Sequence, residues 1–93
     1  YNVYPAEVEA AIEAFDEVVA AVVVSRSDPK YFEVGHAFLL LNDAAPVDLS
    51  ELKDRLSEVL ANYKVPKTFE VLTEFPLLPV GKVDRKALKS RAS

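Results

Sequence analysis

The run Val18-Val19-Ala20-Ala21-Val22-Val23-Val24 constrains this chain more than any other stretch. It is too short for a typical buried helix, and its β-branched content suits a strand. No polar residue interrupts it, so the strand it forms is covered on both faces rather than half-solvated. The other elements must therefore close over a sheet.

The remaining pattern supplies them. Pro5 fits the first turn of a helix, with Glu7 following where the helix dipole favours an anion. Val8, Ala11, Ile12 and Phe15 recur at helical spacing, with Glu9 and Glu13 turned outward. Ser25 to Lys30, holding Asp28-Pro29, reads as a loop, His36 to Leu41 as a second strand, and Asn42 to Val47 as a turn. Asp48 and Glu51 form a capping box opening a helix whose apolar stripe is Leu49, Leu52, Leu56, Val59, Leu60 and Tyr63. Pro66 ends it. Thr68 to Thr73 reads as a third strand, and Asp84 N-caps a last helix through about Ser90, with Lys86, Lys89 and Arg91 exposed. The expected fold class is α+β, a small, roughly three-stranded sheet packed with three helices.

With 93 residues, of which 51% are hydrophobic, the chain reads as one folded domain, 1–93, too small to enclose a substrate by itself. It contains no cysteine and one histidine, His36, which excludes a disulfide framework and a thiolate or multi-histidine metal site. A reducing compartment is compatible, and the cytoplasm is the expected location. No apolar run approaches the roughly 18 residues of a membrane span. The chain starts at Tyr1 without a methionine or leader, and reads as a piece of a longer polypeptide.

The net charge of −4 conceals a polarity, with residues 1–60 mostly acidic and residues 61–93 mostly basic. Aromatic residues are not interleaved with the basic end, so nucleic acid is not the expected partner. The chemistry concentrates in Pro76-Leu77-Leu78-Pro79-Val80-Gly81-Lys82-Val83-Asp84-Arg85. Two prolines fix φ and Gly81 frees it, holding Lys82 on a shaped loop just before a basic helix. A lysine there is a point charge on a long stem, suited to phosphate or carboxylate. The same pair is also the ordinary sequence of a solvated turn.

Three ordered segments carry a resemblance. Tyr1-Asn2-Val3-Tyr4-Pro5-Ala6-Glu7-Val8-Glu9, Leu60-Ala61-Asn62-Tyr63-Lys64-Val65-Pro66 and Pro79-Val80-Gly81-Lys82-Val83-Asp84-Arg85 resemble motifs of the C-terminal domain of the adenylate-forming superfamily. Its members include acyl- and aryl-CoA synthetases, peptide-synthetase adenylation domains and luciferases. The resemblance implies a lid belonging to an AMP-forming acid–thiol ligase, with the large N-terminal domain and hinge outside this chain. The substrates would be ATP with Mg2+, a carboxylic acid and CoA, the metal being held elsewhere. The domain alone would be inactive.

By the same resemblance Lys82 is the catalytic lysine of acyl-adenylate formation, and Gly81 lets the backbone approach the nucleotide. Tyr1 and Asn2 match a segment on the thiol-transfer face, although packing at a helix start accounts for Tyr1, Val3 and Tyr4 equally. Lys64 and Arg85 either touch CoA phosphates or the large domain, or are solvated. Glu7 is read as a dipole partner, His36 as a strand start without chemistry, and Tyr63 as core. Val80 departs from the asparagine usual in peptide-synthetase domains, and Phe32-Glu33 stands where many relatives have Gly-Glu. Two alternatives remain: a lid that loads a carrier-protein thiol, and an interaction module whose basic C-terminal helix docks an acidic partner or nucleic acid in a salt-sensitive manner.

Overall fold

The computed structural model describes residues 3–43 and 47–93. In chain order these form α1 (Pro5–Glu13), β1 (Val18–Asp28), β2 (Phe32–Leu41), α2 (Leu49–Ser57), a 3-10 turn (Asn62–Lys64), β3 (Thr68–Val71) and α3 (Arg85–Ala92). The sheet has the order β1-β2-β3, with β1 and β2 antiparallel and β2 and β3 parallel. The expected class and element order hold.

The valine run is buried from both sides, as its unbroken apolar character demands. Val18, Ala21 and Val23, with Ala37 and Leu39 of β2, pack against Val8 and Ile12 of α1 and Leu52 and Leu56 of α2. Val22 and Val24, with Phe38, pack on the other face against Leu88 of α3. A register shift between Val18 and Ala20 resets the alternation, so Val18 and Ala21 share a core while Val19 is left exposed. Sequestering a side chain such as Phe38 or Ile12 contributes about 1.5–3 kcal/mol each before entropy is counted.

Capping residues set the helix starts. Pro5 begins α1, the Asp48 carboxylate accepts the amides of Ser50 at 2.9 Å and Glu51 at 3.4 Å, and the Asp84 carboxylate accepts that of Ala87 at 3.0 Å. Two helices end earlier than their apolar stripes suggest. α1 stops at Glu13, and Phe15 packs beside it under the Arg55 guanidinium, 4.5 Å from the ring centre. α2 stops at Ser57, because the chain must reverse to lay β3 parallel to β2. Ala61 is extended and leads into the 3-10 turn. Tyr63 is consequently half exposed rather than core, and Val59 is exposed too.

The hairpin is longer than expected, because Ser25 to Asp28 and Phe32 to Gly35 also pair. The first arm, Ser25-Arg26-Ser27-Asp28, is polar, which is why it reads as loop. The Asp28 carboxylate draws in the turn by accepting the amides of Lys30 at 3.0 Å and Tyr31 at 2.9 Å. Those bonds hold its pKa below the usual aspartate value. Phe32 then has φ 72°, with the Glu33 amide bonding back to the Tyr31 carbonyl at 2.8 Å. This is a strained positive-φ γ-turn, occupied by a side chain that is 90% exposed.

β1 is an edge strand, and side chains cover four of its outward backbone groups. Glu13 accepts the Ala21 amide at 2.9 Å and Glu9 accepts the Val23 amide at 2.8 Å. Arg85 donates to the Val23 carbonyl at 3.0 Å, and Lys89 to the Ser25 carbonyl. Glu9 and Glu13 are therefore turned to the sheet edge, correcting the outward placement expected from helical spacing. Edge strands need such cover to avoid pairing with other chains.

Candidate functional site

The lysine loop is built as a small hairpin. Leu77 and Val83 form a bridge, the Leu78 amide bonds the Lys82 carbonyl at 2.7 Å, and the Asp84 amide bonds the Pro76 carbonyl at 2.8 Å. The Gly81 amide bonds the Leu78 carbonyl at 2.8 Å, closing a turn with Pro79 at its second position and Gly81 at its fourth. Gly81 has φ 92°, a conformation that a side chain resists. Val83 anchors the loop in the core beside Leu88, and Lys82 at the tip is exposed. Among the described residues the Lys82 ammonium has no ion pair. It is a fixed base carrying an uncommitted cation.

A second feature lies elsewhere on the domain. A groove of about 650 Å³ is lined by Val3 and Pro5, by Tyr31, Glu33, Val34 and Gly35 on the hairpin side, and by Asn62 to Lys67, and none of residues 76–84 lines it. Gly35 allows Pro66 to cross closely, since a Cβ there would lie 3.3 Å from the Pro66 Cα. Lys64 lies in this groove, but its ammonium sits 3.0 and 3.1 Å from the Glu7 carboxylate oxygens. That hydrogen bond pushes its pKa up. Lys67 stacks over Tyr31 at 4.3 Å, and Lys30 lies over the same ring at 5.2 Å.

The candidate residues thus fall in different places. Lys82 and Gly81 share the loop. Lys64 shares the groove with Val3, and Tyr1 and Asn2 lie outside the described residues. Arg85 reaches neither solvent alone nor the groove. Its Nη2 donates to the Glu9 carboxylate at 2.8 Å and to the Val23 carbonyl. Lys89 bonds Ser25, and Arg91 bonds Glu70 at 2.7 Å, while Lys86, Lys89 and Arg91 stay exposed as expected.

His36 is not at a strand start. It lies within β2, buried, with Nδ1 2.6 Å from the Thr68 hydroxyl and its ring edge-on to Phe38 at 4.6 Å. Nε2 faces Glu70 at 3.5 Å. Burial lowers the histidine pKa and Glu70 partly opposes this. The strand expected from the sequence begins at His36, whereas β2 begins at Phe32.

Among the described residues no group of three metal-binding side chains exists, and no helix is long and apolar enough to cross a membrane. Residues 7–82 match the family described as the AMP-binding enzyme C-terminal domain. The chain is 37% identical over 92 residues to a 2-succinylbenzoate–CoA ligase of Listeria innocua, covering 99% of this chain and 19% of that enzyme. It is 41% identical over 88 residues to a probable non-canonical nonribosomal peptide synthetase, CymA, of Salinispora arenicola, covering 95% of this chain and 1% of that protein. The o-succinylbenzoate CoA synthetase of Bacillus subtilis, solved in complex with its acyl-adenylate intermediate, superposes with a TM-score of 0.86 at 40% identity, over 96% of this chain and 18% of that one. With a helix-flanked mixed sheet, a glycine-lysine hairpin and a match over most of its length, the chain belongs to the AMP-binding enzyme C-terminal domain family, the C-terminal domain of adenylate-forming acyl- and aryl-CoA ligases.

Proposed function

We propose that this chain is the mobile lid of an ATP-dependent acyl- or aryl-CoA ligase. In this reading Lys82 serves acyl-adenylate formation, and the face bearing the groove serves thioester formation after the lid turns. The observation that carries it is the exposed Lys82 ammonium, without an ion pair among the described residues, on a hairpin whose backbone is pinned by three hydrogen bonds, from Leu78, Gly81 and Asp84.

The first half-reaction brings two anions together. A carboxylate oxygen attacks the α-phosphorus of ATP, the bond to pyrophosphate breaks, and pyrophosphate leaves. Lys82 binds the carboxylate and the α-phosphate region, reducing their repulsion and holding them in line. In the second half-reaction a thiol sulfur attacks the acyl carbonyl, AMP departs, and the thiol proton is lost. The groove, flanked by Tyr31, Glu33, Lys64 and Lys67, offers a passage for the arm that brings this thiol. Mg2+ would neutralise charge on the phosphates and would be held outside this chain, since no group of three metal-binding side chains exists among the described residues.

The test joins this chain to its large domain. Lys82→Ala is expected to slow carboxylate-dependent ATP–pyrophosphate exchange by about 10²–10³-fold, a loss of roughly 3–4 kcal/mol. Thioester formation from preformed acyl-adenylate should survive. If exchange is unchanged, Lys82 is ordinary surface. The isolated chain is expected to bind neither ATP nor CoA at micromolar concentration, and a calorimetric titration showing such ATP binding would count against the reading.

A second reading is a lid that loads the phosphopantetheine thiol of a carrier protein. Similarity to the Salinispora synthetase and the run Gly81-Lys82-Val83-Asp84-Arg85 favour it. Turnover with CoA against transfer to a carrier protein separates the two.

A further inference from the structure

We infer that Arg85 is a positioning residue for Lys82, acting through Glu9 and the backbone of Val23. The inference rests on the reading of Lys82 as the adenylation lysine.

The geometry is a closed ring of hydrogen bonds. The Val23 amide donates to Glu9 Oε2 at 2.8 Å, Arg85 Nη2 donates to the same oxygen at 2.8 Å, and Arg85 Nη2 also donates to the Val23 carbonyl at 3.0 Å. One side chain from α1 and one from α3 thus take the place of a neighbouring strand on β1. The Glu9 side chain is 16% exposed, which limits screening of its bond to the guanidinium.

Arg85 stands where this matters for the loop. It is the first residue of α3, directly after Asp84, whose amide closes the loop base on Pro76. Lys82 lies three residues upstream, so the fork of Arg85 fixes the exit of the loop against the sheet. Leu88 and Lys89 hold the following turn of α3 against the sheet, and Arg85 makes the contact with β1 nearest the loop base. A cation that must meet two reacting anions tolerates little misplacement, since a displacement of about 1 Å can cost on the order of 10²-fold in rate.

The experiment uses the complete ligase and a cycle of Lys82→Ala, Arg85→Ala and the double variant, with Glu9→Gln as a milder second probe. Pyrophosphate exchange, thioester formation from preformed acyl-adenylate, and thermal melting are read for each. The expected result for Arg85→Ala is roughly a tenfold fall in the exchange kcat, with KM for ATP and acid, and thioester formation, held within about twofold. Glu9→Gln keeps an acceptor for the Val23 amide and should show the same pattern more weakly. In the Lys82→Ala background, removing Arg85 should add nothing. The inference is overturned if Arg85→Ala shifts only the melting temperature, lowers both half-reactions alike, or multiplies with Lys82→Ala. An exchange rate untouched by Lys82→Ala would overturn the lysine reading itself, and the positioning role with it.

Discussion

Arg55 of α2 reaches back to Glu17 in the turn before β1, pairing both guanidinium nitrogens with its carboxylate, Nη2 at 3.4 Å from Oε1. The same guanidinium covers the Phe15 ring, so one side chain joins α2 to the end of α1 by charge and by stacking. The Arg55 bond holds the Glu17 pKa below its ordinary value of 4.5, and the guanidinium pKa is raised in return. A lowered carboxylate pKa gives stability that is present above the unfolded value and is lost as pH falls through the folded one. Arg55→Met, which keeps a long apolar stem over Phe15, should therefore be less stable than the parent at neutral pH. That gap should close below about pH 4.5, read from urea denaturation midpoints across a pH series.

A second pH window belongs to His36. Burial favours its neutral form, so the unfolded chain binds the extra proton first and stability falls as pH drops below the ordinary histidine value of 6.5. The groups facing the ring are Thr68, Glu70 and Arg26, with Arg91 also engaging Glu70. Glu70 opposes the shift and Arg26 reinforces it. Between pH 7.5 and 5.5 the parent should lose stability while His36→Gln stays level. A parallel decline in both proteins would assign the window to another group.

The γ-turn at Phe32 makes an unusual sign testable. An L-residue at positive φ costs about 1–2 kcal/mol, and this phenyl, being almost wholly exposed, returns no burial. Phe32→Gly removes the strain and adds about 0.5–1 kcal/mol of chain entropy cost. The net expectation is a gain of roughly 0.5–1 kcal/mol in the denaturation free energy. A loss would mean that the ring is held by contacts outside this domain.

Gly81 tests the opposite case. A Cβ there meets nothing within 4 Å, so Gly81→Ala introduces strain without a clash. The expected cost is about 1 kcal/mol, concentrated in the hairpin rather than in the core. Adenylate formation should fall by about fivefold to tenfold, and melting should move by only a few degrees. Equal damage to thioester formation would argue that the loop serves both steps.

Much of this was legible in the residues because the physics was local. The valine run dictated a strand covered on both faces, Asp48 and Asp84 marked their helices by capping, and Pro79 with Gly81 foretold a shaped turn below Lys82. What was hidden depended on distant partners. Glu9 and Glu13 looked solvent-facing because nothing in α1 reveals that an unpaired strand edge lies beside it. Arg85 and Lys64 read as free cations because their carboxylates are 76 and 57 residues away in sequence. The end of α2 was misplaced because its apolar spacing continues through Leu60 and Tyr63 after the helix has turned toward β3.

The covered flank of β1 also bears on how the protein behaves at high concentration. Half of its residues are hydrophobic and its net charge is only −4, a composition that gives modest colloidal repulsion. Carboxylates and cations from α1 and α3 occupy the backbone groups on which a second copy would otherwise start a fibril. The other flank is β3, four residues long with charged Glu70 in its middle, a poor template for growth. The domain can thus expose Phe32, Val80 and Leu77 to water without offering the hydrogen-bonding rail that would turn those patches into ordered aggregates.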